Sequence, residues 1–282
     1  MSAPDLSATA PIRLLGTDLD GTLLRSDNTV SRRTREALAH AREAGLPVVM
    51  VTGRPPRWLH EVADATGLSG IAVAANGALF YDLDAERIVS RHDMQPELLA
   101  TLTEILLDAF PKVRFGVEHG LEFAYEAEYR HDWEIEPATD RLGRPLPATQ
   151  RAELADMVSK PAVKLLAKNR DENADEFLRE ASALIADLAS VTRSGTSALL
   201  EIAAPGITKA TGLATIAAEH GIDVADVAVV GDMPNDIPML QWAGHSFAVA
   251  NAHTDALAAA GHTLVSNDED AVATLIEAIL NR

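Results

Sequence analysis

The sequence contains no cysteine, which excludes disulfide bonds, thiol nucleophiles and cysteine-ligated metal sites. Aromatic residues are scarce at 4%, whereas hydrophobic residues make up 47%, so we expect a core of small aliphatic side chains. Basic residues are outnumbered by acidic ones, 24 to 42, and the net charge of −18 argues against nucleic acid or an anionic membrane as a partner. No apolar run approaches the roughly 20 residues that span a bilayer. We therefore expect a soluble, cytoplasmic protein.

Two carboxylates lie two residues apart where the first apolar run ends. Residues 12–17 predict a buried strand, and Asp18 and Asp20 follow it directly, ahead of a Gly-Thr turn. Acids crowded in this way repel each other and need a counter-charge, for which Mg²⁺ suits oxygen ligands. One carboxylate could then act as a nucleophile while the other transfers protons. The pair alone is weak evidence, because a chain with 42 acidic residues often contains such a pair in a solvated turn.

Four further apolar runs have the same form, since each ends at a polar residue and is followed by a helical pattern. These runs are residues 47–51, 71–75, 227–230 and 247–250. Continuous apolar runs are typical of parallel strands buried on both faces, joined by right-handed helical crossovers. Ligands of such open α/β sheets bind outside the carboxyl ends of the strands. The polar residues predicted to converge there are Asp18, Thr52, Asn76, Asp232 and Asn251.

The alternation of strand and helix is interrupted in the middle of the chain. After about residue 80 the patterns become hairpin-like, and the alternation returns at Gly206. One discontinuous domain, residues 12–81 plus 199–282, with a second domain inserted at 82–198, explains this best. Residues 1–11 have the composition of a short disordered tail. Within the insert we predict helices over 96–110 and 172–188, a hairpin over 113–126, strands over 162–167, 190–193 and 198–202, and an irregular loop over 137–147.

Four motifs, taken together, resemble those of the haloacid-dehalogenase-like (HAD) superfamily in order and spacing. The motifs are Asp18-x-Asp20-Gly-Thr, Thr52-Gly-Arg, the Lys209 of Gly-Ile-Thr-Lys, and Gly-Asp232-Met-Pro-Asn235-Asp236. The long insert resembles the α/β cap of the Cof-type phosphatase branch. The resemblance runs over residues 14–281. It implies an α/β fold with a Rossmann-like core, in which a mostly parallel sheet has helices on both faces, and an inserted α+β cap domain.

The resemblance also implies Mg²⁺-dependent hydrolysis of a phosphate monoester, and the residue chemistry agrees with this reaction. Asp18 would attack phosphorus to form an aspartyl phosphate, while Asp20 would transfer protons. Thr52 would offer its hydroxyl and its backbone N–H to the phosphoryl oxygens. Lys209 would offset negative charge and orient Asp18.

The metal and substrate ligands are assigned on the same basis. Mg²⁺ would be held by Asp18, by the backbone carbonyl of Asp20 and by Asp232, with Asn235 or Asp236 in support. Met233 departs from the small polar residue that the family usually has at its position. The predicted substrate-binding residues are Thr52, Gly53, Arg54, Asn76, Gly77 and Lys209.

Several alternatives stay open at this point. The leading hypothesis is a phosphatase of a small phosphorylated metabolite, acting as a monomer or homodimer, and the rivals are a phosphomutase and a non-catalytic metabolite sensor. Lys164 and Lys168 could meet a phosphate or an acidic group, or could simply face solvent. Weaker candidates, for which packing or exposure is the better interpretation, are Tyr129, His131–Glu134, Trp133 and Arg193.

Overall fold

The computed structural model describes residues 11–129 and 149–281. The predicted tail, apart from Pro11, lies outside these ranges. The same holds for the predicted loop at 137–147 and for the His131–Glu134 motif. No helix within the described ranges combines the length and the apolar character that crossing a membrane requires.

The described chain alternates strands and helices over most of its length. The strands are β1 (Leu14–Thr17), β2 (Val48–Met50), β3 (Ile71–Ala74), β4 (Leu79–Asp82), β5 (Arg87–Arg91), β6 (Arg114–Glu118), β7 (Phe123–Tyr125), β8 (Thr149–Arg151), β9 (Lys164–Lys168), β10 (Ser190–Thr192), β11 (Leu199–Ala203), β12 (Val227–Gly231), β13 (His245–Ala248) and β14 (His262–Thr263). The helices are α1 (Arg32–Glu43), α2 (His60–Thr66), α3 (Pro96–Ala109), α4 (Leu154–Met157), α5 (Ala174–Ile185), α6 (Lys209–Glu219), α7 (Ile237–Trp242), α8 (Thr254–Ala259) and α9 (Ala271–Leu280).

The core sheet is parallel, with the strand order β14-β13-β12-β1-β2. Its strands are apolar on both faces because helices cover both. Leu14 and Val229 pack against α6, α7 and α8, whereas Leu15 and Val230 pack against α1, α2 and α9. A parallel bridge between Val51 and β3 carries the sheet on to the antiparallel β3-β4-β5 unit. The predicted mostly parallel sheet with helices on both faces is confirmed.

The cap sheet has the strand order β10-β11-β9-β6-β7-β8 and is largely antiparallel. One of its faces packs on α3 and α5, where Phe115 and Leu165 of the sheet meet Leu106 and Phe177 of the helices. β6 and β7 form the hairpin predicted over 113–126. The short elements β8 and α4 were not predicted, because three or four residues carry too little periodicity to be recognised.

Strand pairing moves both predicted boundaries of the insert. β11 pairs with β9 and β10 in the cap sheet, although residues from 199 onwards were assigned to the core domain. β5 pairs with β4 beside the core sheet, although residues from 82 onwards were assigned to the insert. The sequence pattern changes at turns and glycines, whereas sheet membership depends on which distant strand supplies the hydrogen-bonding partner.

Helix α6 approaches the turn after β3 so closely that glycine is required there. Gly77 has φ +98°, and a Cβ at this position would lie 2.2 Å from the carbonyl oxygen of Thr208. A Cβ at Gly212 would lie 2.4 Å from Val73 Cγ1. This close approach fixes Lys209, the first residue of α6, beneath the carboxyl ends of the strands.

We expect Gly77→Ala to destabilise the protein by about 2 kcal/mol more than Gly45→Ala, since overpacking typically costs about 1–3 kcal/mol. Gly45 also has a positive φ, +75°, but no atom lies within 4 Å of its hypothetical Cβ. The control therefore isolates the backbone penalty from the clash. Urea unfolding measures both free energies, and equal losses would show that the contact with Thr208 is not tight.

Candidate active site

The turn after β1 brings two acidic loops into contact. Asp18 extends the pairing of β1, since its N–H donates to the carbonyl oxygen of Val230 at 3.0 Å. Gly21 has φ +72°, and a Cβ there would lie 2.4 Å from Asp232 Oδ2. The side-chain amide of Asn251 donates to the carbonyl oxygen of Gly21 at 2.8 Å. Asn251, predicted to lie near the site, therefore holds the turn of the first motif.

Three buried carboxylates form a cluster at the carboxyl ends of β1 and β12. Asp18, Asp232 and Asp236 each offer an oxygen, and these oxygens all lie within 4.8 Å of one another. Thr22 Oγ1 donates to Asp232 Oδ1 at 2.9 Å, which fixes the orientation of that carboxylate. Asp20 is outside the cluster, and the metal ligand predicted there was its backbone carbonyl rather than its side chain.

Within the part of the chain that the structure describes, one ammonium group lies against this cluster. Lys209 is fully buried, and its Nζ lies 2.8 Å from Asp18 Oδ1 and 2.6 Å from Asp236 Oδ1. Because one positive charge faces three carboxylates, the cluster keeps an excess of negative charge. The structure thus brings together residues of the first, third and fourth motifs, as the sequence predicted: Asp18, Lys209, Asp232 and Asp236.

Burial and the excess negative charge shift the pKa values of residues in the cluster. Burial, and then the charge of Asp236, raise the pKa of Asp232 from 3.8 to about 7. Burial also raises the pKa of Asp18 well above its ordinary value, against the opposing effect of Lys209. Burial lowers the pKa of Lys209, but the two carboxylates that it contacts raise this pKa by more. The site therefore favours binding of additional positive charge.

The oxygen atoms of the cluster suit a hard divalent cation. The three acids differ in how many of their oxygens already accept hydrogen bonds. Asp236 accepts from Lys209 through Oδ1, and its Oδ2 accepts from the backbone N–H groups of Asp232 and Met233, both at 2.9 Å. Asn235 Oδ1 is buried and has no hydrogen-bond partner among the described residues. Oxygen atoms of Asp18, Asp232 and Asn235 are therefore available as ligands, which is the donor type that Mg²⁺ prefers. Asp236 instead anchors the loop and the lysine.

The loop that was predicted to bind substrate, Thr52–Arg54, follows β2, and we call it the substrate loop. The N–H of Thr52 donates to the carbonyl oxygen of Val73 at 2.9 Å, so the prediction that this N–H faces a phosphoryl group is wrong. The bridge to β3 uses it instead. Thr52 Oγ1 accepts from the N–H of Arg54 at 3.0 Å, which leaves the hydroxyl proton able to donate.

Arg54, which was predicted to bind substrate, contacts a carboxylate of the protein itself. Its Nε donates to Asp20 Oδ2 at 2.8 Å, and its Nη2 donates to the other oxygen of the same carboxylate. The side chain of Asp20 is 48% exposed and that of Arg54 is 18% exposed. The bidentate pair therefore fixes the orientation of Asp20 at the open side of the site.

Asn76 and Gly77 form part of the floor of the site. Asn76 is buried, its Nδ2 donates to Glu201 Oε2 at 3.0 Å, and its Oδ1 accepts from Asn235 Nδ2 at 3.1 Å. Gly77 packs against Thr208, as described above, and Asn76 also borders the adjoining cavity. Glu201 was not predicted, and the only signal for it is one acid between two apolar residues of a strand.

A cavity of about 270 Å³ adjoins the floor, between the core and the strands β10 and β11. Its lining includes Asn76, Lys209 and Asn235 on the core side and Val191 and Glu201 on the cap side. The site therefore borders space of the size of a small organic molecule.

The family model of the haloacid dehalogenase-like hydrolases matches residues 15–276. The chain belongs to this family. It is a Cof-type HAD hydrolase, and its fold and its motifs agree with that assignment.

Two curated relatives of this HAD hydrolase are phosphatases by name. It is 29% identical to the pyridoxal phosphate phosphatase YbhA of Escherichia coli, over 94% of this chain and 97% of the relative. It is 27% identical to the 5-amino-6-(5-phospho-D-ribitylamino)uracil phosphatase YwtE of Bacillus subtilis, over 96% and 99%. A solved structure from Streptococcus mutans, SMU.1108c, shares the fold with a TM-score of 0.81 at 22% identity, over 96% and 100%. The HAD hydrolase is a phosphoric monoester hydrolase.

We expect the metal-free HAD hydrolase to lose stability as the pH rises through the interval from 3.8 to about 7. The pKa of Asp232 is raised in the folded state, so this state binds more protons than the unfolded chain in that interval, and stability falls with increasing pH. Asp232→Asn should flatten the decline and raise the Tm at alkaline pH in EDTA, with little effect below pH 4. Thermal unfolding checks this.

Asp187→Asn is the matched control, because Asp187 is an exposed acid that does not belong to the cluster. It should reproduce the pH dependence of the wild type. Parallel curves for the wild type and Asp232→Asn would contradict the expected repulsion within the cluster.

Proposed function

We propose that this hydrolase is a Mg²⁺-dependent phosphatase that cleaves a small phosphate monoester through an aspartyl phosphate on Asp18. The observation that carries the proposal is the buried contact of Lys209 with Asp18 and Asp236, beside the third carboxylate of Asp232. A carboxylate nucleophile must stay ionised, while the negative charge around it must be partly balanced. One lysine beside three acids meets that requirement.

In the first half-reaction a carboxylate oxygen of Asp18 attacks phosphorus, and the bond from phosphorus to the ester oxygen breaks. The leaving alkoxide takes a proton from Asp20, which becomes a carboxylate. Both oxygens of Asp20 accept from Arg54 in this structure, so one of the two contacts would open when the carboxyl carries the proton. The remaining contact would keep Asp20 at the exposed side of the site.

In the second half-reaction Asp20 removes a proton from water, and the resulting hydroxide attacks phosphorus. The bond to Asp18 breaks, its carboxylate is restored and inorganic phosphate leaves. The Thr52 hydroxyl and the Lys209 ammonium would stabilise the negative charge of the transferring group, in positions that need no rearrangement.

The cation would be held by oxygens of Asp18, Asp232 and Asn235, with the backbone carbonyl of Asp20. When bound, Mg²⁺ supplies positive charge that offsets the repulsion among carboxylates and phosphoryl oxygens. Asp236 would act indirectly, by holding Lys209 and the backbone N–H groups of its own loop.

We propose a small phosphorylated metabolite as the substrate. The relatives act, by name, on pyridoxal phosphate and on a phosphorylated ribitylaminouracil, and the cavity beside the site suits molecules of modest size. A panel of phosphorylated metabolites, with Asp18→Asn as the blank, would identify the substrate.

We expect the wild type to release phosphate from para-nitrophenyl phosphate with Mg²⁺ and to lose this activity in EDTA. Asp18→Asn should reduce it to background, because the amide cannot form the acyl phosphate. The exposed variant Asp187→Asn should keep wild-type turnover. Phosphate assays measure all of these rates, and full turnover by Asp18→Asn would overturn the covalent mechanism.

We expect Thr52→Ala to lower kcat by about 10²–10³, the usual cost of removing one donor to a developing anion. Thr52→Ser keeps the hydroxyl and should stay within about tenfold of the wild type, on the same scale of donor effects. Steady-state kinetics on the two variants separate the contribution of the Thr52 hydroxyl to kcat from that of the side-chain shape. Equal losses in both would assign Thr52 a packing role.

A further inference from the structure

A row of four alternating charges crosses the boundary between the core and the cap sheet. Arg57, in the turn after the substrate loop, donates to Glu118 of β6 through Nη1 and Nη2, at 2.6 and 2.7 Å. Lys164 of β9 pairs with Glu201 of β11. The four side chains are only 4–6% exposed. We call this set the charge row.

The strand register explains why the cap members of the row share one face. Glu118 lies directly opposite Lys164 in the β6–β9 pair. Glu201 lies opposite Leu166, two residues further along β9. Because side chains alternate between faces, the intervening Leu165 points away, into the apolar core beneath α3 and α5. The charged face is therefore the one directed at the core domain.

The row contacts the substrate loop and the floor of the site directly. Lys164 Nζ donates to the carbonyl oxygen of Gly53 at 2.6 Å, and Glu201 accepts from the side-chain amide of Asn76. A Cβ at Gly53 would lie 3.1 Å from Asn76 Oδ1 and 3.2 Å from Glu201 Oε2. The loop is thus held between the floor and the cap sheet with almost no spare room.

These contacts are connected to the reacting groups by two routes. Asn76 accepts from Asn235, the amide beside the carboxylate cluster. Gly53 is bonded covalently to Thr52 and to Arg54, and Arg54 holds Asp20. A displacement of Glu201 would therefore reach both the metal side and the proton-transfer side of the site.

Stability alone does not account for such a buried pair. Desolvation of two charges usually cancels much of their attraction, and apolar replacements are often equally stable. Glu201 nevertheless accepts from three donors, Lys164, Asn76 and Ser194. An acceptor with this many partners fixes geometry, which an apolar side chain cannot do.

We propose that Glu201 is a positioning residue for phosphoryl transfer: it fixes Asn76 and, through Lys164, the Gly53 carbonyl, so that the substrate loop is ordered only when the cap sheet is docked. The inference rests on the proposed phosphatase function. It gives a cap strand a role in the chemical step that is separate from substrate choice.

The test is steady-state hydrolysis of para-nitrophenyl phosphate with Mg²⁺ by the full-length chain. Glu201→Gln keeps the size and removes the charge, and we expect kcat to fall about 10- to 100-fold, as a misplacement near 1 Å does. KM should change much less, because the groups that bind phosphate remain present. The rise in Tm on adding Mg²⁺ should be unchanged, since the carboxylate cluster is intact.

A second variant separates positioning from folding. Lys164→Met combined with Glu201→Leu replaces the pair by apolar side chains, and we expect a folded protein with the same loss of kcat. Asp171→Asn, which breaks the exposed Lys112–Asp171 pair of the insert, should retain wild-type kinetics. If Glu201→Gln fails to fold, the double variant decides.

The outcomes distinguish the two proposals. Wild-type kcat in Glu201→Gln, or in the folded double variant, would overturn the positioning role while leaving the phosphatase function intact. If the wild type shows no phosphate release, or if its phosphate release does not depend on both Mg²⁺ and Asp18, the proposed function itself is overturned. A loss of kcat in both variants, with KM nearly constant, supports the inference.

Discussion

The contact of Lys209 with Asp18 and Asp236 is the constraint on which the site depends. Three separate parts of the chain meet there: the end of β1, the start of α6 and the loop after β12. The ammonium is fully buried, so water cannot replace either carboxylate as its partner. Each part must therefore hold its position, and the parallel sheet with helices on both faces provides that rigidity.

The crowding of the three carboxylates opposes the ionisation of two of them. Two of the acids have raised pKa values because burial and their neighbours disfavour the charged form. Close backbone packing at Gly21 and Gly77 leaves the cluster no room to expand. The proposed cation would therefore stabilise the folded state, since it would relieve repulsion that exists only there.

Contacts made by the cap sheet differ most from what the sequence suggested. Lys164 could have met an acid or faced solvent, and the fold buries it against Glu201 and the Gly53 carbonyl. The contact of Arg54 with Asp20 was likewise not predicted from the sequence. Alternation along a strand predicts which residues share a face, but it does not predict what covers that face.

The sequence by itself determined the class of fold, the acids at the strand ends and the order of the four motifs. These are local features, because apolar runs, turns and their spacing lie within short stretches. Only the tertiary structure decided that β11 belongs to the cap sheet, that the N–H of Thr52 is used by Val73, and that Asn76 reaches Glu201. Such partners lie far apart in the chain, 125 residues for the last pair, and no local pattern specifies which of many polar groups will meet.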